Sequence, residues 1–312
     1  MILGFVPLFV AGAALVLAVV SAVVGAVVVL GQRWLTRMAP AAQSRVLLAA
    51  AVAPAFVGLT VVGAMQADVI VFQCGVHGCL RDHTAAWPSL PVLILVAAIV
   101  SRVGIALARA SAGARQVRSM QRALECASFK QDAGLRVLPI DEPEAFVMGV
   151  LRPQVYVSRG LLSTAAGGDL KPVLAHEQAH ARRRDPLRRR IASVGLAFHL
   201  PGIAAMLDRR LARAQEMAAD ADAARAVGDA PRVAEVLVRL ARLHKARPAP
   251  AMALFGSDLE ARVRDLLRTD PRPNHPPATL LFGVAAALVV FAVVAAHPIH
   301  TDVELLLRFL SH

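Results

Sequence analysis

The run DLKPVLAHEQAHARRRDPLRRR places His176, Glu177 and His180 in an HExxH arrangement. On a helix, positions i and i+4 share a face, so the two imidazoles can bind one metal ion together. Glu177 emerges beside them, within reach of a water on that metal. Zn2+ lowers the pKa of such a water toward ~7, and the glutamate can take its proton and pass it to a leaving amine. The chemistry this predicts is peptide-bond hydrolysis. HExxH alone is a moderate signal, because a helix rich in alanine and charge can produce it by chance.

A hydrolytic zinc site needs a third protein ligand, and a carboxylate is the expected type. Glu216 is the best candidate, in the strongly helical stretch RRLARAQEMAADADAA, 36 residues past His180. The surrounding alanines let this second helix pack closely on the first. Asp220, one turn after Glu216, is placed to accept a hydrogen bond from a ligand imidazole. Asp185 sits within a run of six arginines (182–184 and 188–190), where it either pairs with one of them or orients the motif helix. The arginine run itself reads as a cytoplasmic face held against anionic lipid. His199 reads as a structural histidine.

The elements around these residues belong to a membrane protein. Of the 312 residues 57% are hydrophobic and only 18% charged, and the mean hydropathy is +0.57. Soluble domains carry nearer one-quarter charged residues. Residues 1–32 hold no charge, and they lack the basic start of a secretory signal. Spans are expected at about 5–30, 46–65, 87–107 and 278–296, with Pro54 a kink in the second and Arg102 near the end of the third snorkelling toward the head groups. Residues 191–206 are apolar for about one helix. A true crossing there would put Glu216 and His176 on opposite sides, so they read as a helix buried in the domain or resting at the membrane surface.

The loops set the orientation. Arg33, Arg37 and Arg45 follow span one, and Arg109, Arg115, Arg118 and Arg122 follow span three, so both regions belong in the cytoplasm. The loop between spans two and three then lies outside. It contains Cys74 and Cys79, a pair that suits a small disulfide in an oxidising compartment. Two free thiols are the alternative, and a metal site using His77 a weaker one. The expected organisation is therefore residues 1–108 as three spans with an outer cysteine loop, 109–277 as a cytoplasmic domain, 278–296 as the fourth span and 297–312 as a short outer tail. Both termini lie outside a bacterial inner membrane. The fold class is mainly α, four transmembrane helices plus an α+β zincin-like domain. Its small sheet includes strands AFVMGV and QVYVS, joined by a turn at Arg152-Pro153. The net charge of +12 then serves topology and lipid contact, and direct nucleic-acid binding is disfavoured.

HEQAHARRRDP, the apolar stretch ending in FHLPG, and RRLARAQEMAADADAA together resemble the BlaR/MecR-type membrane metallopeptidases, the beta-lactam sensor–transducers and their relatives. EAFVMGVLRPQVYVSRGLL resembles their paired strands and SDLEARVRDLL their closing helix, so the likeness covers roughly residues 130–270. It implies that His176, His180 and Glu216 bind zinc and that Glu177 is catalytic, with Asp185 matching a downstream family aspartate. Those transducers carry a large penicillin-binding domain after the last span, where this sequence has 16 residues. The resemblance therefore implies a protease core served through its spans or by a separate sensor protein. The expected substrate is a cytoplasmic or membrane-proximal protein, such as a transcriptional repressor. An HtpX-like quality-control protease and a non-catalytic signalling scaffold are the alternatives.

Overall fold

The computed structural model describes residues 6–68, 90–130, 135–164, 170–245, 253–268 and 272–273. Cys74, Cys79, the expected fourth span and the tail lie outside them. The chain begins with three long helices, α1 (Val6–Leu30), α3 (Pro40–Asp68) and α4 (Leu90–Ala127), with a single turn α2 (Gln32–Leu35) after α1. Among the described residues one stretch, Pro40–Gly58 of α3, meets the length and apolarity needed to cross a membrane. α4 has 38 residues, about 57 Å. It continues without a break through the boundary expected at 108/109.

After α4 comes a four-stranded sheet of β1 (Phe129–Lys130), β2 (Leu135–Leu138), β3 (Ala145–Met148) and β4 (Gln154–Ser158), in the order β1-β2-β4-β3. β3 and β4 form the hairpin expected around Arg152-Pro153, with Phe146 opposite Tyr156. Gly149 enters the turn at φ 110°, a conformation side chains disfavour. β1 and β2, two and four residues long, are too short to show an alternating pattern in the sequence. β2 pairs parallel to β4, which leaves β3 as an edge strand.

The remaining elements are helical: α5 (Arg159–Thr164), α6 (Leu170–Arg183), α7 (Asp185–Gly195), a 3-10 turn Leu196–Phe198, α8 (Pro201–Val227), α9 (Ala230–Lys245) and α10 (Ala253–Leu266). Residues 191–206 are thus a broken helix. Pro201 starts α8 at its first turn, and the residue before a proline favours extended backbone, as Leu200 adopts (φ −60°, ψ 143°).

This break is inserted among α1 and α3. Gly195 lies so close to Ala51 that a Cβ would meet the Ala51 carbonyl oxygen at 2.5 Å, and Ile203 packs on Gly25. The polar groups released at the break are satisfied within the bundle. Pro54 has no N–H to donate to the carbonyl of Ala50, four residues earlier. His199 Nε2 takes up that oxygen at 3.1 Å, and Ser21 Oγ donates to His199 Nδ1 at 3.1 Å. Ser21 Oγ in turn accepts the Leu200 N–H at 2.9 Å. His199 and Ser21 are buried, so this histidine is structural. A buried core joins Val28, Leu35, Met38, Leu47 and Ala51 to Ala192, Leu196, Leu207 and Leu211.

Candidate metal centre

α6 and α8 pack against each other through small side chains, with Ala175 and Ala179 on one and Ala218, Ala219 and Ala223 on the other buried. That close approach brings Glu216 to the HExxH face. Ligand atoms of His176, His180 and Glu216 all lie within 4.8 Å of one another. The two Nε2 atoms are 3.2 Å apart, and each is 3.6 Å from a Glu216 carboxylate oxygen. Donors on a zinc tetrahedron of radius ~2.0–2.1 Å stand about 3.3 Å apart, so the spacing fits that ion.

The outward nitrogens decide the tautomers. His176 Nδ1 donates to Asp220 Oδ1 at 3.0 Å, and His180 Nδ1 donates to Asp185 Oδ2 at 2.8 Å. Both Nε2 atoms are thereby aimed at one point, where their lone pairs can meet a cation once the rings are neutral. Asp185 reaches His180 because Arg184, at φ 53°, turns the chain sharply between α6 and α7. Asp185 and Asp220 are both buried.

Arg262, on α10, is the site residue that sequence reasoning missed. It makes a two-pronged contact with Asp220, Nε to Oδ2 at 2.6 Å and Nη2 to Oδ1 at 2.8 Å. Its Nη1 lies 3.2 Å from Glu216 Oε2. The segment SDLEARVRDLL resembles a closing helix, but one more arginine in an arginine-rich chain carries no signal of its own.

Electrostatics follow from these contacts. For His176, burial lowers the pKa, but the hydrogen bonds to Asp220 and Glu216 outweigh it and push it up to about 10. Burial raises Glu216, yet its bond to His176 and the charge of Arg262 hold it at about 2. Asp220, also raised by burial, is kept below the usual carboxylate range by Arg262 and His176. Glu177 is the exception: burial dominates, and its carboxyl is pushed up despite the two histidines. A carboxyl raised toward neutrality is suited to taking and returning a proton.

Beside the donors runs a cleft of about 430 Å³. The edge strand β3 contributes Ala145 and Phe146, and α9 contributes Val233, Val236, Leu237 and Leu240. Half of the arginine run turns inward: Arg183, Arg188 and Arg190 are partly buried, while Arg182, Arg184 and Arg189 stay exposed. Arg183 reaches Ser44, Asp185 and Asp222, Arg188 approaches Asp185, Arg189 approaches Asp208, and Arg190 reaches the Ala110 carbonyl.

Residues 111–208 match peptidase family M48. The match covers under a third of the chain. It supports a metallopeptidase, and it takes in His176, Glu177, His180 and Asp185. Glu216, Asp220 and Arg262 lie beyond it, so their place at the site rests on geometry. No curated protein and no solved structure matches the chain at a significant level.

Proposed function

We propose that this chain is an integral-membrane zinc endopeptidase that cleaves a cytoplasmic or membrane-proximal protein. The observation that carries the reading is the convergence of His176, His180 and Glu216 within 4.8 Å, with Glu177 on the same helix. Bound zinc would supply a Lewis acid and acidify the attacking water. Glu177 accepts that water's proton on its carboxylate and returns it to the amide nitrogen as the C–N bond breaks. Asp220 and Asp185 hold the imidazoles in register, and Arg262 holds both Asp220 and Glu216. Strand β3 offers backbone groups to an extended peptide, and the apolar wall of α9 accepts a hydrophobic side chain.

Membrane placement is supported by α1, which has no charged residue, and by Pro40–Gly58. Val23, Val27 and Leu30 of α1 are also exposed, at helical spacing along one uncharged helix, as a lipid-facing stripe requires. The apolar runs support a four-span layout, and the arginine distribution supports placing the site in the cytoplasm. The BlaR/MecR likeness makes a repressor the favoured substrate class, in a signalling role.

The test is Glu177→Gln in the full chain. Zinc content should be unchanged while cleavage of an unfolded reporter protein or of the chain itself falls by ~10²–10⁴-fold. Full activity in that variant, with zinc still bound, would refute the peptidase reading in favour of a scaffold. Selective loss of one repressor on induction would support signalling, and broad loss of damaged membrane proteins would support quality control.

A further inference from the structure

A second pocket, of about 370 Å³, lies between the α1–α3 junction and the helices of the metal centre. Its walls carry Arg210, Arg213, Arg264, Arg268 and Arg272, against the single carboxylate of Asp265. That carboxylate is already engaged by Arg272. Arg210 caps α1, donating to the Val28 carbonyl at 3.1 Å and to Gln32 Oε1 at 2.9 Å. Arg264 is likewise engaged by Glu260, at the exposed rim. Five guanidinium groups against two carboxylates still leave the concavity with an excess of positive charge, and guanidinium forks match phosphate oxygens. The pocket is therefore built for an anion.

The rest of the lining narrows the anion's chemistry. Leu35, Leu47 and Met217 give the pocket an apolar side. Its α1–α3 wall, residues 32–47, directly follows the apolar end of α1, where Val27, Val29 and Leu30 are exposed. Trp34, at the same level, is partly exposed, as tryptophans are at membrane–water interfaces. A phosphate with hydrocarbon attached satisfies both surfaces, whereas a free phosphate uses only the arginines. The volume equals on the order of a dozen waters, enough for a phosphoglycerol head.

We propose that this pocket binds the phosphate-bearing headgroup of an anionic phospholipid at the cytoplasmic boundary of the helix bundle. The proposal rests on the membrane placement above and not on the peptidase chemistry. It also gives lipid a physical route to the metal centre. Arg264, Asp265 and Arg268 sit on and just after α10, the helix whose Arg262 grips Asp220 and Glu216.

The experiment uses the full chain in a neutral detergent, titrated with dioctanoyl phosphatidylglycerol, dioctanoyl phosphatidylcholine or inorganic phosphate, and read by native mass spectrometry. Phosphatidylglycerol should bind at one site and phosphatidylcholine much more weakly. The double variant Arg213→Gln/Arg268→Gln should lose about thirtyfold in affinity, and Arg213→Lys/Arg268→Lys should retain most of it, which separates lost charge from lost folding. A charge-matched control away from the pocket, Arg232→Gln/Arg239→Gln, whose side chains pair with the exposed Glu235, should bind as wild type. Inorganic phosphate binding as tightly as the lipid would keep the anion site but overturn the lipid assignment. Equal losses in the control, or none in the pocket variant, would overturn the site itself. Because Glu177→Gln should leave lipid binding intact, failure of the peptidase reading would be visible separately. Recovery of the chain in the soluble fraction would mark failure of the membrane reading.

Discussion

Glu177 and Glu216 are glutamates on neighbouring helices whose surroundings push their carboxyls in opposite directions, up by burial for one and down to about 2 for the other. Such a split separates a proton carrier from a permanently charged donor. The same contacts set how metal uptake depends on pH. With its pKa pushed up to about 10, His176 carries a proton in the metal-free protein at neutral pH, and binding must expel it. Zinc affinity, measured by competition with a chelator of known pH dependence, should therefore keep rising about tenfold per pH unit between pH 7 and pH 9. An unperturbed imidazole would level off above ~6.5; a plateau there would show that Asp220 and Glu216 do not hold that proton. Asp220→Asn should flatten that rise and, at pH 9 where the competing proton costs least, weaken zinc binding by ~10–100-fold, as removal of an imidazole's acceptor does, and Arg262→Gln should weaken it in the same direction. If zinc content and affinity survive both changes, the grip of Asp220 on His176 is incidental. The grouping of His176, His180 and Glu216 was legible because helical spacing alone puts the histidines together and few acids lie in a suitable helix. Arg262 was not, since its partner Asp220 is 42 residues away and no local pattern links them.

At the level of elements, the sequence carried the HExxH helix and the β3–β4 hairpin well, because each is set by its own residues. Residues 191–206, read as one helix's length interrupted at His199 and Pro201, are buried as expected, but as the end of α7, a 3-10 turn and the start of α8. What was missing was the partner: Pro54, almost 150 residues earlier, orphans the Ala50 carbonyl that His199 satisfies at 3.1 Å. The helix of α3 runs on through Pro54, so the proline acts here by removing a donor. His199→Ala should strip partners from the Ala50 carbonyl and the Ser21 hydroxyl and destabilise the chain by on the order of 2–4 kcal/mol. Zinc content of the folded fraction should not change, which distinguishes a structural histidine from a ligand. The pairing with Pro54 has its own signature. In a Pro54→Ala background the new N–H can bond Ala50 itself, so His199→Ala should cost measurably less there, and additive costs in thermal unfolding would break the proposed link.

For the molecule as a whole, the expected division at 108/109 meets a continuous α4 and a core that crosses it. The composition signalled apolar helices followed by a charged region, and that shift is real along the chain. Contacts between the two regions leave no trace in periodicity, so nothing in the sequence said that α7 and α8 bury their apolar faces on α1 and α3. Leu196, Leu207 and Leu211 have their partners in Val28, Leu35, Met38 and Leu47. Ser44 on α3 accepts a hydrogen bond from Arg183 at 3.1 Å, and Arg183 neighbours Asp185, the acceptor behind His180. A fragment of residues 109–277 would uncover those three leucines, at about 1.5–3 kcal/mol each, a loss comparable with the whole stability of an ordinary domain. It would also cut the tie between Ser44 and Arg183. Expressed alone, that fragment should fail to show cooperative unfolding or to hold zinc, whereas co-expression with residues 1–108 should restore both. A soluble 109–277 fragment carrying one zinc and cleaving protein would show instead that the metal centre stands without the apolar helices. In that case their packing against α7 and α8 would serve anchoring and not assembly of the site.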